Sequence, residues 1–343
     1  VTGVQTCALP IYPAQDRGEP VRELGGYVYA RGSLRGARPD PQQGAVTKSA
    51  QPIRIELANA PVIGTTSSGQ DIRLGGFSGL RFLGRSPSGL YQFVTHTDRG
   101  PNADPLAPAG ESAGSATGYQ PKDLRPFGLP EFRPRLVFLD VDLRLKKMFV
   151  RAQVPLTTRD GKPVLGLPSD ESGEIAVDFR GGHLGATPDG LDLKGITLAP
   201  DGTFWMCDEY GPSLVRFSMD GVLLDRILPG KGLPETLRYR RANRGFESIA
   251  FHGGKLYAGL ESPLDNPPSE GARNSKRSRI TRLVEVDPAR KVATAQFAYV
   301  LDEAGEGKLA DLCAEADGVF LAIEKGKDRK STRLNSSHGY ISY

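Results

Sequence analysis

The chain is poor in the residues that carry redox and nucleophilic chemistry: it has three cysteines, four histidines, three methionines and a single tryptophan. Cys7 lies in an N-terminal stretch unrelated in composition to the rest of the chain, which leaves Cys207 and Cys313. Two buried thiols are the simpler reading of that pair and one disulfide the other, so the redox compartment stays open. No apolar run approaches the roughly 18 residues that a bilayer-spanning helix needs. Lys and Arg number 44 against 40 Asp and Glu, a net charge of +4. Without a concentrated basic stripe, that balance gives no footprint for nucleic acid. A Walker loop, a Rossmann fingerprint and a His-Glu-x-x-His pair are all missing, which argues against the commonest nucleotide-using enzymes. Sustained helical periodicity is also scarce.

What the chain does have is turns. Its 42 glycines and 27 prolines suit many short strands. From Gly75 onward, apolar runs are punctuated by Ser86-Pro-Ser-Gly89, Pro200-Asp-Gly202, Met219-Asp-Gly221, His252-Gly-Gly254 and Ala316-Asp-Gly318. Asp-Gly between apolar alternations is a strong hairpin signal, so the expected fold is all-β. Residues 12–70 are polar and rich in Pro and Gly, with extended pieces around Tyr27–Tyr29 and Ile53–Leu57. We read them as an N-terminal segment that begins the fold, and residues 71–327 as its main domain. The ends, 1–11 and 328–343, match neither and look like translated sequencing-adapter read-through, to be set aside from fold reasoning as fusion scars are. On that reading any signal peptide lies outside the sequence.

The hairpins repeat. Strand starts at Leu80, Ile196, Ile249 and Leu312 are spaced 116, 53 and 63 residues apart. The shorter spacings suit one four-stranded blade with a long loop, and the first could hold two. Second hairpins come next at Leu136–Asp140 with Lys147–Val154, Leu214–Phe217 with Val222–Leu228, and Arg282–Val286 with Val292–Tyr299. The expected architecture is a β-propeller of four-stranded blades, about six in an intact ring and incomplete here.

Each repeat also carries acids. Counting twelve residues from the strand start leads from Ile196 to Asp208, from Ile249 to Glu261 and from Leu312 to Glu324, and the longer first hairpin ends on Asp98. Asp192, Glu247 and Asp311 precede the strands, and Glu209 comes directly after Asp208. Blade-equivalent positions share one face, so these carboxylates are expected to converge and to need a cation or shared protons. Hard oxygen ligands suit Ca²⁺, with Mg²⁺ or Mn²⁺ as alternatives. Each acid reads equally well, taken singly, as the cap of its own turn or the partner of an arginine. Arg99 is next to Asp98, and Arg238, Arg240, Arg241 and Arg244 crowd the approach to Glu247, where guanidinium would suit phosphate or simply pair with the acids. The basic stretch 273–282 reads as a solvated loop, Trp205 as core, His96 as a weak candidate, and His183 and His252 as turn residues without a role.

The strings THTDRGPNAD (95–104), DLKGITLAPDGTFWMCDEYGPSLVRFSMDG (192–221), NRGFESIAF (243–251) and GLESPL (259–264) resemble the phytase-like family, named for an esterase-like activity of phytase. The resemblance spans roughly Gly75 to Lys327. It implies a propeller domain of mostly bacterial, often exported proteins, periplasmic or extracellular, acting as a monomer on a small phosphorylated or ester substrate. By matching motif it implies Asp98, Arg99, Asp192, Arg244 and Glu324 as catalytic candidates and Asp208, Glu209, Glu247 and Glu261 as ligands of a divalent cation. The family pattern Asp-x-Glu-Gly becomes Asp192-Leu-Lys194-Gly here, and a lysine there either weakens a metal site or fills a cation's place. Three functions are open: a metal-dependent phosphoester hydrolase, a lactonase-like propeller using one axial metal, and a binding or scaffold propeller with a structural ion.

Overall fold

The computed structural model describes residues 4–7, 22–24, 27–29, 54–103, 124–169, 172–266, 273–302, 304–305, 307–316 and 319–326. They are almost all strand and turn. In the first blade Phe77–Arg85, Tyr91–Thr97, Arg135–Asp142 and Lys147–Pro155 run antiparallel in succession, and Glu56–Leu57 adds in parallel to the last. Leu193–Leu198, Phe204–Asp208, Ser213–Phe217 and Leu223–Pro229 form the second blade, edged by Gly232–Leu233. The third comprises Phe246–His252, Lys255–Leu260, Ile280–Asp287 and Val292–Val300. A fourth sheet pairs Lys308–Ala316 with Val319–Lys325, whose other edge takes Val4–Cys7.

The first strands of the four sheets pack side by side in sequence order, which is the arrangement of the inner strands around a propeller axis. Their approach is close. A Cβ on Gly79 would lie 2.7 Å from the Lys194 carbonyl, and one on Gly195 would lie 2.7 Å from the Ile249 backbone nitrogen. Glycine there lets one blade's inner strand touch the next. The four sheets form an open series, and the described residues do not close the ring.

The strand period explains the core. Phe204 and Met206 face the first blade, where they meet Val94, Leu136 and Phe138. Their neighbours Trp205 and Cys207 face the third blade, among Ile249, Leu256, Ala258 and Val284. The strand Phe204–Asp208 is therefore buried along its whole length. Ala250 and Leu283 pack with Leu309, Leu312 and Phe320 between the third and fourth blades. Outer strands such as Lys147–Pro155 alternate between half-buried and exposed instead.

The turn glycines take the left-handed backbone the hairpins require at Gly89, Gly202 and Gly221. Asp317 and Gly318 lie outside the described residues. The second hairpins form within a residue or two of the expected ranges. Between the first two strand starts there is one blade among the described residues, not two. Part of the remaining length forms a parallel pair, Leu124–Pro126 with Ile175–Val177. The basic stretch is a short helix, Arg273–Arg277, running into the strand Ile280–Asp287. Strands Tyr27–Tyr29 and Glu56–Leu57 match the expected extended pieces, with Ile53 outside the described residues. Residues 328–343 lie outside them too, whereas Val4–Cys7 is a paired strand. Cys207 and Cys313 are free thiols, the first buried and the second exposed. No helix among the described residues is long and apolar enough to cross a membrane.

Candidate axial carboxylate site

Register decides which acids meet. In the four inner hairpins Phe77 pairs with Thr97, Leu193 with Asp208, Phe246 with Leu260 and Leu309 with Glu324. The residues one step beyond each second-strand partner, Asp98, Glu209, Glu261 and Lys325, are therefore equivalent. On the inner strands Ser78, Lys194, Glu247 and Ala310 occupy one equivalent position, each just after the paired residue. The residues just before it are Gly76, Asp192, Gly245 and Lys308.

This departs from the twelve-residue count for a physical reason. Ile196 pairs with Met206 and Leu312 with Ala322, but Ile249 pairs with Ala258, one residue sooner. The third hairpin is one residue tighter, so an equal count lands one step further along its strand. In a period-two structure one step changes the face. Glu261 thus reaches the axis, while Asp208 and Glu324 turn aside.

Glu209, Glu247 and Glu261 come together, each offering a carboxylate oxygen within 4.8 Å of the others. Every one of them also meets a lysine. Lys194 Nζ lies 2.9 Å from Glu209 Oε2, Lys325 Nζ 3.4 Å from Glu247 Oε1, and Lys308 Nζ pairs with Glu261 Oε1. Of the three remaining oxygens, Glu247 Oε2 and Glu261 Oε2 are buried without a hydrogen-bond partner. Burial pushes the Glu209 carboxyl well up, opposed by Lys194 and reinforced by Glu261 and Glu247. Burial raises Glu247 too, again opposed by Lys194.

A second group adjoins the first through Lys194, whose Nζ is also 2.9 Å from Asp192 Oδ1. Asp192 is fully buried, and Arg99 Nε stands 3.4 Å from its Oδ2. Burial would raise Asp192, but Lys194 and Arg99 outweigh it and hold the acid ionised. Arg99 is further clamped by Glu174 Oε2 at 2.5 Å, and Glu174 also takes Arg125 at 3.1 Å. Asp98 Oδ1 accepts the Gly100 N–H at 2.9 Å, and its carboxyl is pushed up by burial and by Asp192.

The other expected residues do local work. Asp208 accepts the backbone N–H groups of Asp192 and Tyr210 and pairs with Arg226 at 3.3 Å. Glu324 accepts from the Tyr299 hydroxyl and the Asp302 N–H, both at 2.8 Å. Arg240 and Arg241 donate to the carbonyls of Tyr210 and Gly305, and Arg238 pairs with Glu235. Arg244 is different: its Nη1 is buried without a hydrogen bond and stands 3.9 Å from Glu261 Oε1. His96 is buried between the first two inner strands, its Nε2 2.6 Å from the Lys194 carbonyl, and burial lowers its pKa to about 4. Sequence reasoning missed Glu174, Lys308 and Lys325. Only the blade register brings the two lysines into view, and Glu174 stands just ahead of the strand Ile175–Val177, in a parallel pair that no repeat signal marks.

The group as a whole holds oxygen donors for a hard cation and positive groups for an anion. Among proteins similar in sequence is one from Arthroderma benhamiae described as an uncharacterized secreted protein, 30% identical over 176 residues. That match covers 38% of this chain and 33% of the relative, so the chain spans about a third of the relative's length. Among solved structures, the Dos1 propeller is similar over 74% of this chain and 45% of its own, at 8% identity and a TM-score of 0.31. YCF48 bound to D1 peptide is similar over 78% and 57%, at 11% identity and a TM-score of 0.27. A glucose dehydrogenase is similar over 77% and 85%, at 13% identity and a TM-score of 0.31. A family description covers most of the chain: residues 72–335 match "Esterase-like activity of phytase", and the chain belongs to this phytase-like family.

Proposed function

We propose that the protein is a metal-dependent hydrolase of phosphoric esters, working at the axial face where Glu209, Glu247 and Glu261 meet. The observation that carries this reading is the pair of buried, unpartnered oxygens, Glu247 Oε2 and Glu261 Oε2, in a group whose donor oxygens lie within 4.8 Å. Buried carboxylate oxygens without hydrogen bonds are costly, and a hard divalent cation satisfies them. The donor set therefore fits Ca²⁺, with Mg²⁺ or Mn²⁺ as alternatives. A bound ion would supply Lewis acidity toward a phosphoryl oxygen and a water of lowered pKa.

The chain's own residues would do the rest. Arg244, whose Nη1 makes no hydrogen bond and stands 3.9 Å from Glu261 Oε1, would bind the phosphate. Arg99 is held by Glu174 and Asp192, so it would orient Asp192 rather than take substrate. Asp98, whose carboxyl stays protonated to higher pH than an ordinary aspartate, would deliver a proton to the leaving oxygen. The exported location is also a proposal, supported by the family resemblance and by the secreted description of the Arthroderma benhamiae relative.

The test is release of phosphate from phosphomonoester, phosphodiester and inositol-phosphate substrates with and without a chelator. Turnover that a chelator abolishes and Ca²⁺ restores is the expected result; turnover indifferent to chelator would overturn it. A cyclic-ester substrate would leave turnover intact in Arg244→Ala. One observation favours a second reading, a binding propeller with a structural ion: each of the three glutamates already has a lysine partner. In that case added metal raises the melting temperature while every ester stays intact.

A further inference from the structure

The lysines of the axial site are not alike. Lys308 and Lys325 are 32% and 40% exposed and each touches one glutamate. Lys194 is 15% exposed, and its ammonium lies 2.9 Å from both Asp192 Oδ1 and Glu209 Oε2. Among the described residues it is the cation that bridges two axial carboxylates, and Glu247 and Asp98 add to the negative field around it. The Asp192 oxygens are fully buried, and their positive neighbours are Lys194 and Arg99. The neighbouring blade is instructive. At the position equivalent to Lys194 the third blade has Glu247, a member of the oxygen cluster.

An ammonium 2.9 Å from two carboxylate oxygens occupies a void comparable to that of an ion with oxygen distances of about 2.3–2.6 Å. The backbone beneath it is also fixed, since His96 Nε2 sits 2.6 Å from the Lys194 carbonyl. We propose that Lys194 is a built-in counter-ion standing where a second divalent cation would otherwise bind, between Asp192 and Glu209, and so limits the axial site to one ion. The proposal deepens the metal reading above and rests on it for the first ion, but its own content is the difference between two proteins. Removing the ammonium leaves Asp192 Oδ1 and Glu209 Oε2 buried without that shared partner, while Arg99 still holds Asp192 Oδ2, and two such oxygens are the donors a hard cation takes.

The experiment counts Ca²⁺ bound per full chain by equilibrium dialysis for wild type, Lys194→Gln and Lys194→Arg, with melting curves in Ca²⁺ and in chelator. Wild type and Lys194→Arg should bind the same number of ions, and Lys194→Gln one more. Lys194→Gln should also gain more in melting temperature from Ca²⁺ than Lys194→Arg does. Equal counts in all three folded proteins would overturn the proposal. So would a Lys194→Gln chain that stays unfolded at every Ca²⁺ concentration, because the ion should then replace the ammonium. A wild type that binds no ion, alongside a Lys194→Gln that binds one, would defeat the hydrolase reading and leave the counter-ion role standing.

Discussion

The molecule carries two networks of acids and bases built from the same residue types. At the axis, Asp192 and Glu209 share Lys194, and Arg99 and Glu174 close the group. On the outer side, Arg216 reaches Asp201 and Asp225, while Lys291 of the third blade also reaches Asp225. The first lies where four inner strands converge and water is thinned out. The second joins Arg216 and Asp225 on the outer strands of the second blade to two turn residues, Asp201 and Lys291, each about half exposed. Burial, not the number of contacts, separates them. An exposed pair gains little because solvent screens it, whereas breaking a buried pair strands a charge in a poorly solvating place.

The largest effect should come from breaking the inner network. Asp192→Ala leaves Lys194 and Arg99 without their shared carboxylate and should cost about 3–5 kcal/mol in denaturant unfolding. A loss under about 1 kcal/mol, the range of exposed pairs, would put the axis on the same footing as the rim.

Acidity should sharpen the contrast next. Asp311 comes directly after Ala310 on the fourth inner strand, and burial pushes its pKa up to about 6. Its folded pKa lies above the unfolded value, so its contribution to stability falls as pH rises from about 4 to about 6. Asp311→Asn should therefore gain on wild type by about 3 kcal/mol between about pH 4 and about pH 7. His96 works in the opposite sense. It is held neutral with a pKa of about 4, so the fold loses stability as pH falls from about 6.5 toward 4. The two offset each other in wild type, and the His96 slope should emerge in Asp311→Asn when melting is followed across that range. A variant whose advantage is constant with pH would contradict the assignment.

Metal should act on the axis alone. Ca²⁺ at about a hundredfold over its dissociation constant should add about 2.7 kcal/mol to wild-type stability, and Glu261→Gln should abolish most of that gain. Identical Ca²⁺ responses in the two proteins would exclude Glu261 as a ligand. The smallest effect belongs to the outer edge, where Asp201→Asn should cost less than about 1 kcal/mol and vanish in high salt.

Much of the fold was legible because hairpins are local. Asp201-Gly202 and Asp220-Gly221 set turns that need only their own few residues, and the flanking apolar alternation set the strands. The site was legible in part. Glu209, Glu247 and Glu261 were among the expected ligands and do meet, but Asp208 and Glu324 were placed with them by a count that ignores hairpin length. One residue fewer in the hairpin before Ala258 was enough to misalign the repeats. Glu174 and the lysines at 308 and 325 enter through long-range packing, for which neighbouring residues carry no signal.

The alternation within Phe204–Asp208 has a bearing on how such a protein can be cut and rejoined. Because Phe204 and Met206 belong to one interface and Trp205 and Cys207 to the next, the second sheet has no interior of its own. Grafting a whole sheet would import two half-interfaces, each shaped for a partner left behind. The exchangeable unit is the space between sheets, so a chimera should be spliced through the middle of a strand layer, with both facing surfaces carried across together.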